Sequence, residues 1–212
     1  MFNGISKCLV LAPHTDDGEL GAGGTIVKLL EQNVEVHYAA FSTGEESLAE
    51  LGLPIDQTRT EVKNATLKLG IPAENLHIFN HPVRKLNYVR QEILDIMVRL
   101  KKEIAPDLVL MPCLRDIHQD HTTIATEGLR AFKQTTMLGY ELIWNNLQFN
   151  TQCFMKLEAH HVEKKLEACE EYISQKFRGY MNREFIFALA RTRGVQIGSA
   201  YAEAFEVVRW VM

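Results

Sequence analysis

Short apolar runs alternate with amphipathic segments over the first two thirds of the chain. Apolar runs of this kind are typical of buried strands, and apolar positions three or four residues apart predict helices. The strands are predicted at 7–12, 34–41, 75–79, 107–112 and 138–143, and the helices at 24–33, 57–70, 88–104 and 119–133. This alternation predicts βαβ units, and hence an α/β fold with a mostly parallel sheet covered on both faces.

The last third of the chain is more helical. Helices are predicted at 160–177 and 182–194, and a closing strand at 204–211. His160 and His161 begin the first of these helices and are expected to be solvated. Because there is no repeat, low-complexity tract or linker, we predict one domain over residues 1–212.

Composition and charge exclude several classes of protein. The 212 residues are 46% hydrophobic, enough for one core, and the net charge of −4 without a long basic run excludes a nucleic-acid or anionic-membrane footprint. No apolar run approaches the roughly 18 residues of a membrane span. The N-terminus has no signal-peptide pattern, and the four dispersed cysteines form no CxxC pair. We therefore expect buried, reduced thiols and a cytoplasmic protein.

Two polar clusters follow two of the predicted strands. "HTDD" (14–17) comes directly after the first strand, and "LRDIHQDH" (114–121) directly after the fourth. Ligands of open α/β sheets bind beyond the carboxyl ends of the strands, so the two clusters are expected to meet there.

The residue types in these clusters point to a metal ion. Catalytic zinc usually takes three ligands from histidines and carboxylates and leaves one position for water. We predict His14, Asp17 and His121 as the ligands. Asp16 then lies beside the ion without binding it and is the candidate general base on the water.

Two further residues of the second cluster are candidates for catalysis. A protonated His118 would stabilise an oxyanion or protonate a leaving amine, and Asp120 would raise its pKa and hold its orientation. Either cluster alone also fits a simpler interpretation, in which its polar side chains cap the following helix. The pairing of the two clusters favours the metal site.

The glycines after the first cluster do not indicate a dinucleotide site. Gly21, Gly23 and Gly24 do not fulfil GxGxxG, because Ile26 takes the place of the third glycine. We expect them to allow close approach of the helix and loop behind the metal site.

The two motifs together resemble a known family. "APHTDDGELGAGGT" is similar to the AHPDDExxGxGG signature, and "RDIHQDH" to the HxDH signature, of the PIG-L/LmbE-like zinc-dependent de-N-acetylases. The similarity extends over most of the chain, and Arg59 looks like the family's substrate-binding arginine. Thr15 departs from the family's proline, Gly18 from a frequent acidic residue, and His81 from an acidic residue found in many relatives.

The resemblance implies a Rossmann-like, three-layer α/β/α fold. It also implies zinc, or another divalent metal such as Fe²⁺, on His14, Asp17 and His121, with Asp16 as base and His118, tuned by Asp120, as the group that stabilises the transition state or acts as acid. The implied reaction removes the N-acetyl group of an N-acetylglucosamine-type sugar or conjugate. Several family members form homo-oligomers, often trimers or hexamers.

Two other functions stay open at this point. One is a metal-dependent hydrolase of another small amide or ester, including a phosphoesterase, and the other is a non-catalytic domain that binds a glycoconjugate. The retention of both complete motifs argues against the second. The roles of His81 and Arg115 are left open.

Overall fold

A seven-stranded sheet forms the centre of the computed structural model, which describes residues 4–48 and 52–211. The strands are β1 (Lys7–His14), β2 (Glu35–Ser42), β3 (Leu76–Ile78), β4 (Leu108–Pro112), β5 (Thr136–Tyr140), β6 (Cys153–Leu157) and β7 (Tyr201–Arg209). Their order across the sheet is β3-β2-β1-β4-β5-β7-β6. The first five are parallel, and β7 runs antiparallel to both of its neighbours, which confirms the mostly parallel sheet.

Helices cover both faces of this sheet. Within the described ranges the α-helices are α1 (Asp17–Glu31), α2 (Gln57–Leu69), α3 (Arg90–Ile104), α4 (Gln119–Ala131), α5 (Ala159–Glu170) and α6 (Arg183–Val195). The first face carries α1, α2, α5 and α6, which pack against one another, and the second carries α3 and α4. The three-layer α/β/α architecture is therefore confirmed. No helix in the described part of the chain is long and apolar enough to span a membrane.

Alternation along β1 divides the core into two layers. Cys8 and Val10 face the α1 side, whereas Leu9 and Leu11 face the α3 side, and all four side chains are fully buried. Successive side chains of a strand point to opposite faces, so one continuous apolar run can serve both layers. The order of the strands also makes the gap between β1 and β4 a topological switch point, where ligands of such sheets bind.

The sequence placed the start of α1 too late, because glycine has poor helix propensity. The helix begins at Asp17 rather than at Gly24. An added Cβ at Gly18 would lie 2.4 Å from Tyr38 Cε2, and one at Gly21 would lie 2.3 Å from Tyr140 Cδ2. The glycines do permit close packing, but of the helix against two tyrosine rings on β2 and β5 rather than against the loop that the sequence suggested.

Several other elements differ from the prediction, including β7, which begins at Tyr201 rather than at residue 204. β6 was not predicted, since its five residues carry little periodicity, and β5 lies at Thr136–Tyr140 rather than at 138–143. α5 ends at Glu170, because the following residues form a separate short 3₁₀ helix, Ile173–Gln175. There the buried carboxylate of Glu61 accepts hydrogen bonds from the Ser174 N–H (2.9 Å) and hydroxyl (2.6 Å). A tertiary contact of this kind leaves no local sequence signal.

Candidate active site

The two polar clusters lie side by side above the carboxyl ends of β1 and β4. His14 is the last residue of β1, and Asp17 begins α1. His118 is the N-cap of α4, and His121 lies in the first turn of that helix. The ring centroids of His14 and His121 are 5.1 Å apart, and those of His118 and His121 are 4.5 Å apart.

Three polar atoms form a nearly equilateral triangle at this point. Asp17 Oδ2 lies 3.1 Å from His14 Nδ1 and 3.3 Å from His121 Nε2, and the two nitrogens are 3.2 Å apart. Tetrahedral zinc with bonds of about 2.0–2.1 Å keeps its ligand atoms roughly 3.3 Å apart. The three atoms therefore have the spacing of one face of a zinc coordination sphere, so the chain's own residues fit a divalent cation.

Buried carboxylates orient both histidine rings. The outer nitrogen of His14, Nε2, lies 3.0 Å from Asp120 Oδ2, and the outer nitrogen of His121, Nδ1, lies 2.8 Å from Asp116 Oδ2. A neutral imidazole that donates its outer N–H to a carboxylate presents the lone pair of the other nitrogen, which is the usual arrangement around a bound metal. The other ring nitrogen of each histidine, Nδ1 of His14 and Nε2 of His121, is thereby an acceptor that faces Asp17.

Without a cation, three acceptors in such close contact require protons between them. Burial alone would lower the pKa of His14, but the charge of Asp17 and the hydrogen bonds to Asp120 and Asp17 raise it to about 9. His121 behaves in the same way: burial lowers its pKa, and Asp17 and Asp116 together raise it to about 10. The site thus attracts positive charge, as protons or as a metal ion.

Asp16 is the unengaged carboxylate of the pair. Within the described part of the chain its side chain makes no ion pair and no hydrogen bond to another side chain, and it lines the same cavity as the triangle. Burial and the charge of Asp17 raise the pKa of Asp16 to about 6. A carboxylate with this pKa at the edge of a metal site is suited to accept a proton from water.

His118 is held by its backbone contacts rather than by the Asp120 carboxylate. Its Nδ1 accepts the Asp120 N–H at 3.2 Å, so the neutral ring carries its proton on Nε2. Burial and the neighbouring His121 and His14 lower the pKa of His118 to about 4. The Asp120 carboxylate does act to raise the pKa of His118, as expected, but burial and the two histidines outweigh it. Its hydrogen bonds go to His14 and to the loop at residues 84–86 rather than to the His118 ring.

Asp116 is a site residue that sequence reasoning missed. Besides orienting His121, it accepts the His118 N–H at 2.8 Å, and it is only 4% exposed. The available signal was its position five residues before His121, within the same polar run, but the spacing alone does not distinguish it from a loop carboxylate.

A buried network fixes the turn that carries the two aspartates. The hydroxyls of Tyr38 and Tyr172 both contact the Thr15 carbonyl oxygen, at 2.9 and 2.6 Å, and both contact the Glu19 carboxyl group. These contacts between oxygen atoms need more protons than the two phenol groups carry. A protonated Glu19 carboxyl group supplies a further proton. Burial accordingly raises the pKa of Glu19 to about 8 despite the tyrosine hydrogen bonds.

The triangle opens into a cavity of about 350 Å³. Much of its wall comes from residues that the sequence did not single out. They include Thr58, Arg84, Trp144, Gln175, Arg178 and Tyr180. The Trp144 and Tyr180 rings stack in parallel, with their centroids 3.7 Å apart. The last third of the chain thus supplies a wall of the site without carrying either motif.

Three residues considered from the sequence lie apart from this cavity. Arg59 Nε donates to Glu45 Oε1 at 2.6 Å, and Arg115 bonds Gln148. His81 is half-buried, and burial lowers its pKa. None of the three is among the described residues that line the cavity.

A second histidine cluster has a structural explanation. His160 Nε2 and His161 Nε2 lie 2.8 and 2.9 Å from the two carboxylate oxygens of Glu31. His161 Nδ1 accepts the Glu158 N–H in a capping box at the start of α5, which places the ring proton on Nε2. His161 is 3% exposed, so the expectation that it is solvated is wrong: the helix N-terminus buries it.

Several solved structures share this fold. The conserved protein TT1542 from Thermus thermophilus matches with a TM-score of 0.81 at 24% identity, over 98% of this chain and 96% of that one. GalB, the 4-carboxy-2-hydroxymuconate hydratase from Pseudomonas putida KT2440, matches with a TM-score of 0.80 at 20% identity, over 98% of both chains. Fold and site together define an α/β protein with a histidine–carboxylate centre at its switch point.

The family follows from the sequence. The model of the family PIG-L: GlcNAc-PI de-N-acetylase matches residues 9–132, more than half of the chain and both motifs, so the chain belongs to the PIG-L family. A diacetylchitobiose deacetylase from Thermococcus kodakarensis is 31% identical over 140 residues, which are 61% of this chain and 50% of that protein. The chain thus spans about half of this relative.

Proposed function

We propose that the protein is a metal-dependent deacetylase that removes the N-acetyl group of an N-acetylglucosamine-type sugar or its conjugate. The observation that carries this proposal is the triangle of His14 Nδ1, Asp17 Oδ2 and His121 Nε2, with the unengaged Asp16 beside it. Membership of the PIG-L family and the similarity to a diacetylchitobiose deacetylase support the choice of substrate.

Two imidazoles and one carboxylate are a donor set that suits zinc, and they also suit Fe²⁺. In this proposal His14, Asp17 and His121 hold the ion. Such an ion lowers the pKa of a coordinated water to about 7 and polarises an amide carbonyl group. Asp120 and Asp116 keep the two histidines in the tautomers that bind a metal.

The remaining chemistry belongs to the side chains around the ion. Asp16 accepts a proton from the attacking water as the new C–O bond forms at the amide carbon. His118 donates its Nε2–H to the oxygen on which negative charge develops, because its Nδ1 is occupied by the Asp120 N–H. When the C–N bond breaks, Asp16 returns the proton to the leaving nitrogen. The products are acetate and the free amine.

Alternative reactions on this fold are a reason to test the substrate directly. A protein with nearly the same fold is a hydratase, so architecture alone does not define the reaction. A metal-dependent hydrolase of another small amide or ester would use the same triangle. A non-catalytic glycoconjugate-binding domain would have no need of the base Asp16.

The experiment is a substrate panel with metal-stripped and zinc-reconstituted protein. The panel contains N-acetylglucosamine conjugates, other acetamides, simple esters and phosphate esters, and acetate and primary amine are both quantified. We expect acetate and amine in a one-to-one ratio from the sugar conjugates, only with the metal-loaded protein. Turnover of esters or phosphates without sugar deacetylation, or saturable sugar binding without acetate, contradicts the proposal.

A further inference from the structure

Two aromatic side chains stack on each other in the wall of the cavity. The Trp144 and Tyr180 rings lie within 8° of parallel, and their centroids are 3.7 Å apart. Both residues line the cavity that contains the histidine–carboxylate centre, and both are half-buried. Ligand pockets are commonly lined by aromatic side chains of this kind, which offer a large, rigid apolar surface. This wall is therefore available to a substrate.

Trp144 is the more enclosed ring of this pair. Tyr180 covers one of its faces, and Phe185 packs against it as well, with the ring centroids 5.9 Å apart and the planes inclined by 57°. Phe185 lines a separate, smaller cavity and not the one that holds the centre. Within the described residues Tyr180 contacts no aromatic ring other than Trp144. Tyr180 is thus the ring that has an aromatic surface left for a ligand.

Backbone contacts fix Trp144 relative to the loop that follows β4. The carbonyl oxygen of the next residue, Asn145, accepts the Ile117 N–H at 3.1 Å. Asn146 pairs with Asp116 in an isolated antiparallel β-bridge. Asp116 is also the carboxylate that orients one of the proposed metal ligands. The aromatic wall therefore has a defined position beside the reacting centre, as precise placement of a substrate requires.

Tyr180 is close enough to the catalytic carboxylates to sense their charge. Burial and, after it, the charge of Asp16 raise the pKa of Tyr180 to about 12. The phenol is therefore protonated at neutral pH. In the described part of the chain its hydroxyl group has no hydrogen-bond partner. The ring and its hydroxyl group are thus both able to contact a substrate whose acetamide lies at the centre.

Thr58 adds an unpaired polar group to the same cavity. It comes from α2, lines the cavity and is 5% exposed, and its hydroxyl is the one buried side-chain oxygen or nitrogen without a hydrogen-bond partner among the described residues. The hydroxyl of Thr66 on the same helix, in contrast, donates to the Val62 carbonyl oxygen at 2.8 Å. Buried polar atoms are rarely left unpaired, and those that are need an explanation such as an absent ligand or water.

A pyranose ring carries the two kinds of surface that these residues complement. The axial C–H bonds on one face of a ring with equatorial substituents form an apolar patch, which packs on the electron-rich face of an aromatic ring. The equatorial hydroxyl groups project from the rim of the ring, where polar side chains bind them. An acyclic acetamide has neither surface. At about 350 Å³, the cavity has the volume for one such ring.

We propose that Tyr180, backed by Trp144, is the platform for the pyranose ring of the substrate, and that Thr58 binds a hydroxyl group of that ring. This inference rests on the proposed function and extends it, because it assigns the selection of a cyclic amino sugar to three residues outside both motifs. The platform positions the ring so that its 2-acetamido group reaches the centre. The three residues determine specificity, and the chemistry stays with Asp16 and His118.

The test of the platform compares two substrates with the same acetamide. They are the methyl β-glycoside of N-acetylglucosamine and 2-acetamidoethanol, which lacks the ring. The zinc-loaded wild type is compared with Tyr180→Leu, Tyr180→Phe and Trp144→Leu. Tyr88→Leu is the matched control, because Tyr88 is 81% exposed and lies outside the cavity. Zinc content and thermal unfolding are measured for every variant.

For the wild type we expect kcat/KM to be at least about 100-fold higher for the glycoside than for 2-acetamidoethanol. Tyr180→Leu should reduce this ratio about tenfold, mainly through KM, because the ring loses its apolar contact surface. Trp144→Leu, which removes the backing ring, should reduce the ratio in the same direction. Tyr180→Phe keeps the aromatic face and should retain most of the ratio, and Tyr88→Leu should retain all of it.

The test of Thr58 uses the 3-deoxy, 4-deoxy and 6-deoxy analogues of the same glycoside. One of them should lose about tenfold in kcat/KM with the wild type, as when one hydrogen bond is removed. That loss should disappear in Thr58→Val, since a hydroxyl group absent from the protein cannot miss its partner on the sugar. Thr66→Val is the matched control and should show the same loss as the wild type.

Several outcomes overturn the inference and leave the proposed function standing. They are an unchanged ratio in folded, zinc-loaded Tyr180→Leu and Trp144→Leu, an equal loss of rate for both substrates, and equally good use of 2-acetamidoethanol by the wild type. Sensitivity to every deoxy analogue that is the same in Thr58→Val as in the wild type removes Thr58 from the site. No acetate from the methyl glycoside overturns the platform, and no acetate from any sugar conjugate of the earlier panel overturns the proposed function as well.

Discussion

His14 Nδ1 and His121 Nε2 lie 3.2 Å apart although the two residues are separated by 107 positions in the chain. Adjacent parallel strands β1 and β4 produce this contact. His14 ends β1, and His121 lies in the helix that follows β4. Asp17 Oδ2 lies within 3.3 Å of both nitrogens.

Asp16→Asn should abolish turnover and leave metal binding intact. Removal of a general base typically costs about 10²–10⁴-fold in rate. Among the described residues the Asp16 side chain forms no hydrogen bond or ion pair with the three proposed ligands, so its loss should not disturb them. The measurements are kcat for acetate release and zinc content by mass spectrometry. Asp95→Asn, an exposed position on α3, is the matched control. Near-normal turnover by zinc-loaded Asp16→Asn would contradict the assignment of the base.

Asp17→Asn should lose the metal, whereas His118→Gln should retain it. The nitrogen atoms of His14, His118 and His121 also lie close enough together to hold an ion. In our proposal, however, Asp17 is the third ligand and His118 is a hydrogen-bond donor. Asp17→Asn should therefore lose zinc, while His118→Gln should keep it and lose about 10²–10³-fold in kcat, as when an oxyanion donor is removed. The reverse pattern of zinc contents would identify the three histidines as the ligands.

Metal binding should release up to two protons at pH 7. The raised pKa values of His14, about 9, and His121, about 10, mean that both are protonated in the metal-free protein, and a metal displaces those protons. Apparent zinc affinity should thus rise between pH 7 and 9. The extra stability that the raised pKa values give the metal-free protein is fully present below about pH 6.5 and should be lost as the pH rises through 9 and 10.

Titration calorimetry in buffers of different ionisation enthalpy counts these protons. His118→Gln is the control, because burial and its neighbours lower the pKa of His118 to about 4 and it has no proton to lose. Zinc binding that is independent of pH in this range would show that the two ligands are already neutral in the metal-free protein.

Asp116→Ala should weaken zinc binding about 10–100-fold, a cost typical of residues that orient a metal ligand. The substitution removes the acceptor for His121 Nδ1, so that the ring is no longer held in the tautomer that presents Nε2. Competition with a chromophoric chelator measures the affinity. Asp116→Asn keeps an acceptor oxygen and should retain most of the zinc affinity. Equal losses of affinity in the two variants would indicate that Asp116 supplies charge rather than orientation.

Gly21→Ala should destabilise the fold by about 1–3 kcal/mol, the usual cost of overpacking a core. The new Cβ would lie 2.3 Å from Cδ2 of Tyr140, which is fully buried and donates its hydroxyl to the Leu11 carbonyl oxygen. Chemical denaturation measures the free energy of unfolding. Gly179→Ala, where a Cβ meets nothing within 4 Å, should be close to neutral. An equally small effect at both positions would mean that the core accommodates the methyl group.

The sequence predicted those parts of the fold and site that are encoded in short stretches of the chain. The apolar runs at β1 and β4, and the polar residues that end them, were sufficient to bring His14 and His121 to one edge of the sheet. Asp120 lies near the site, but the sequence does not show which histidine its carboxylate bonds. His118 is two residues away and His14 is 106 away, and spacing along the chain gives no reason to choose His14.

The rest depends on contacts between distant elements. Arg178 lines the cavity because Glu61 holds the preceding residues against α2, a contact over 113 positions. Trp144 and Tyr180 stack although they lie in different segments of the chain, which no local pattern indicates. Arg59, in contrast, was chosen by resemblance, and in the structure it pairs with Glu45. A position carried over from relatives specifies a residue type but not its partner.

The glycines of α1 have a consequence for folding order. Gly18, Gly21, Gly23 and Gly24 all lie within one helix, and each costs roughly 1 kcal/mol of intrinsic helix propensity relative to alanine. As an isolated peptide this segment would be mostly unstructured, and it becomes helical only against the side chains that pack closely on its glycines, Tyr38, Tyr140, Lys165 and Leu157. The loop bearing Asp16 and Asp17 should therefore acquire its shape late in folding, after the sheet has assembled, and amide exchange of this segment should report its first local opening.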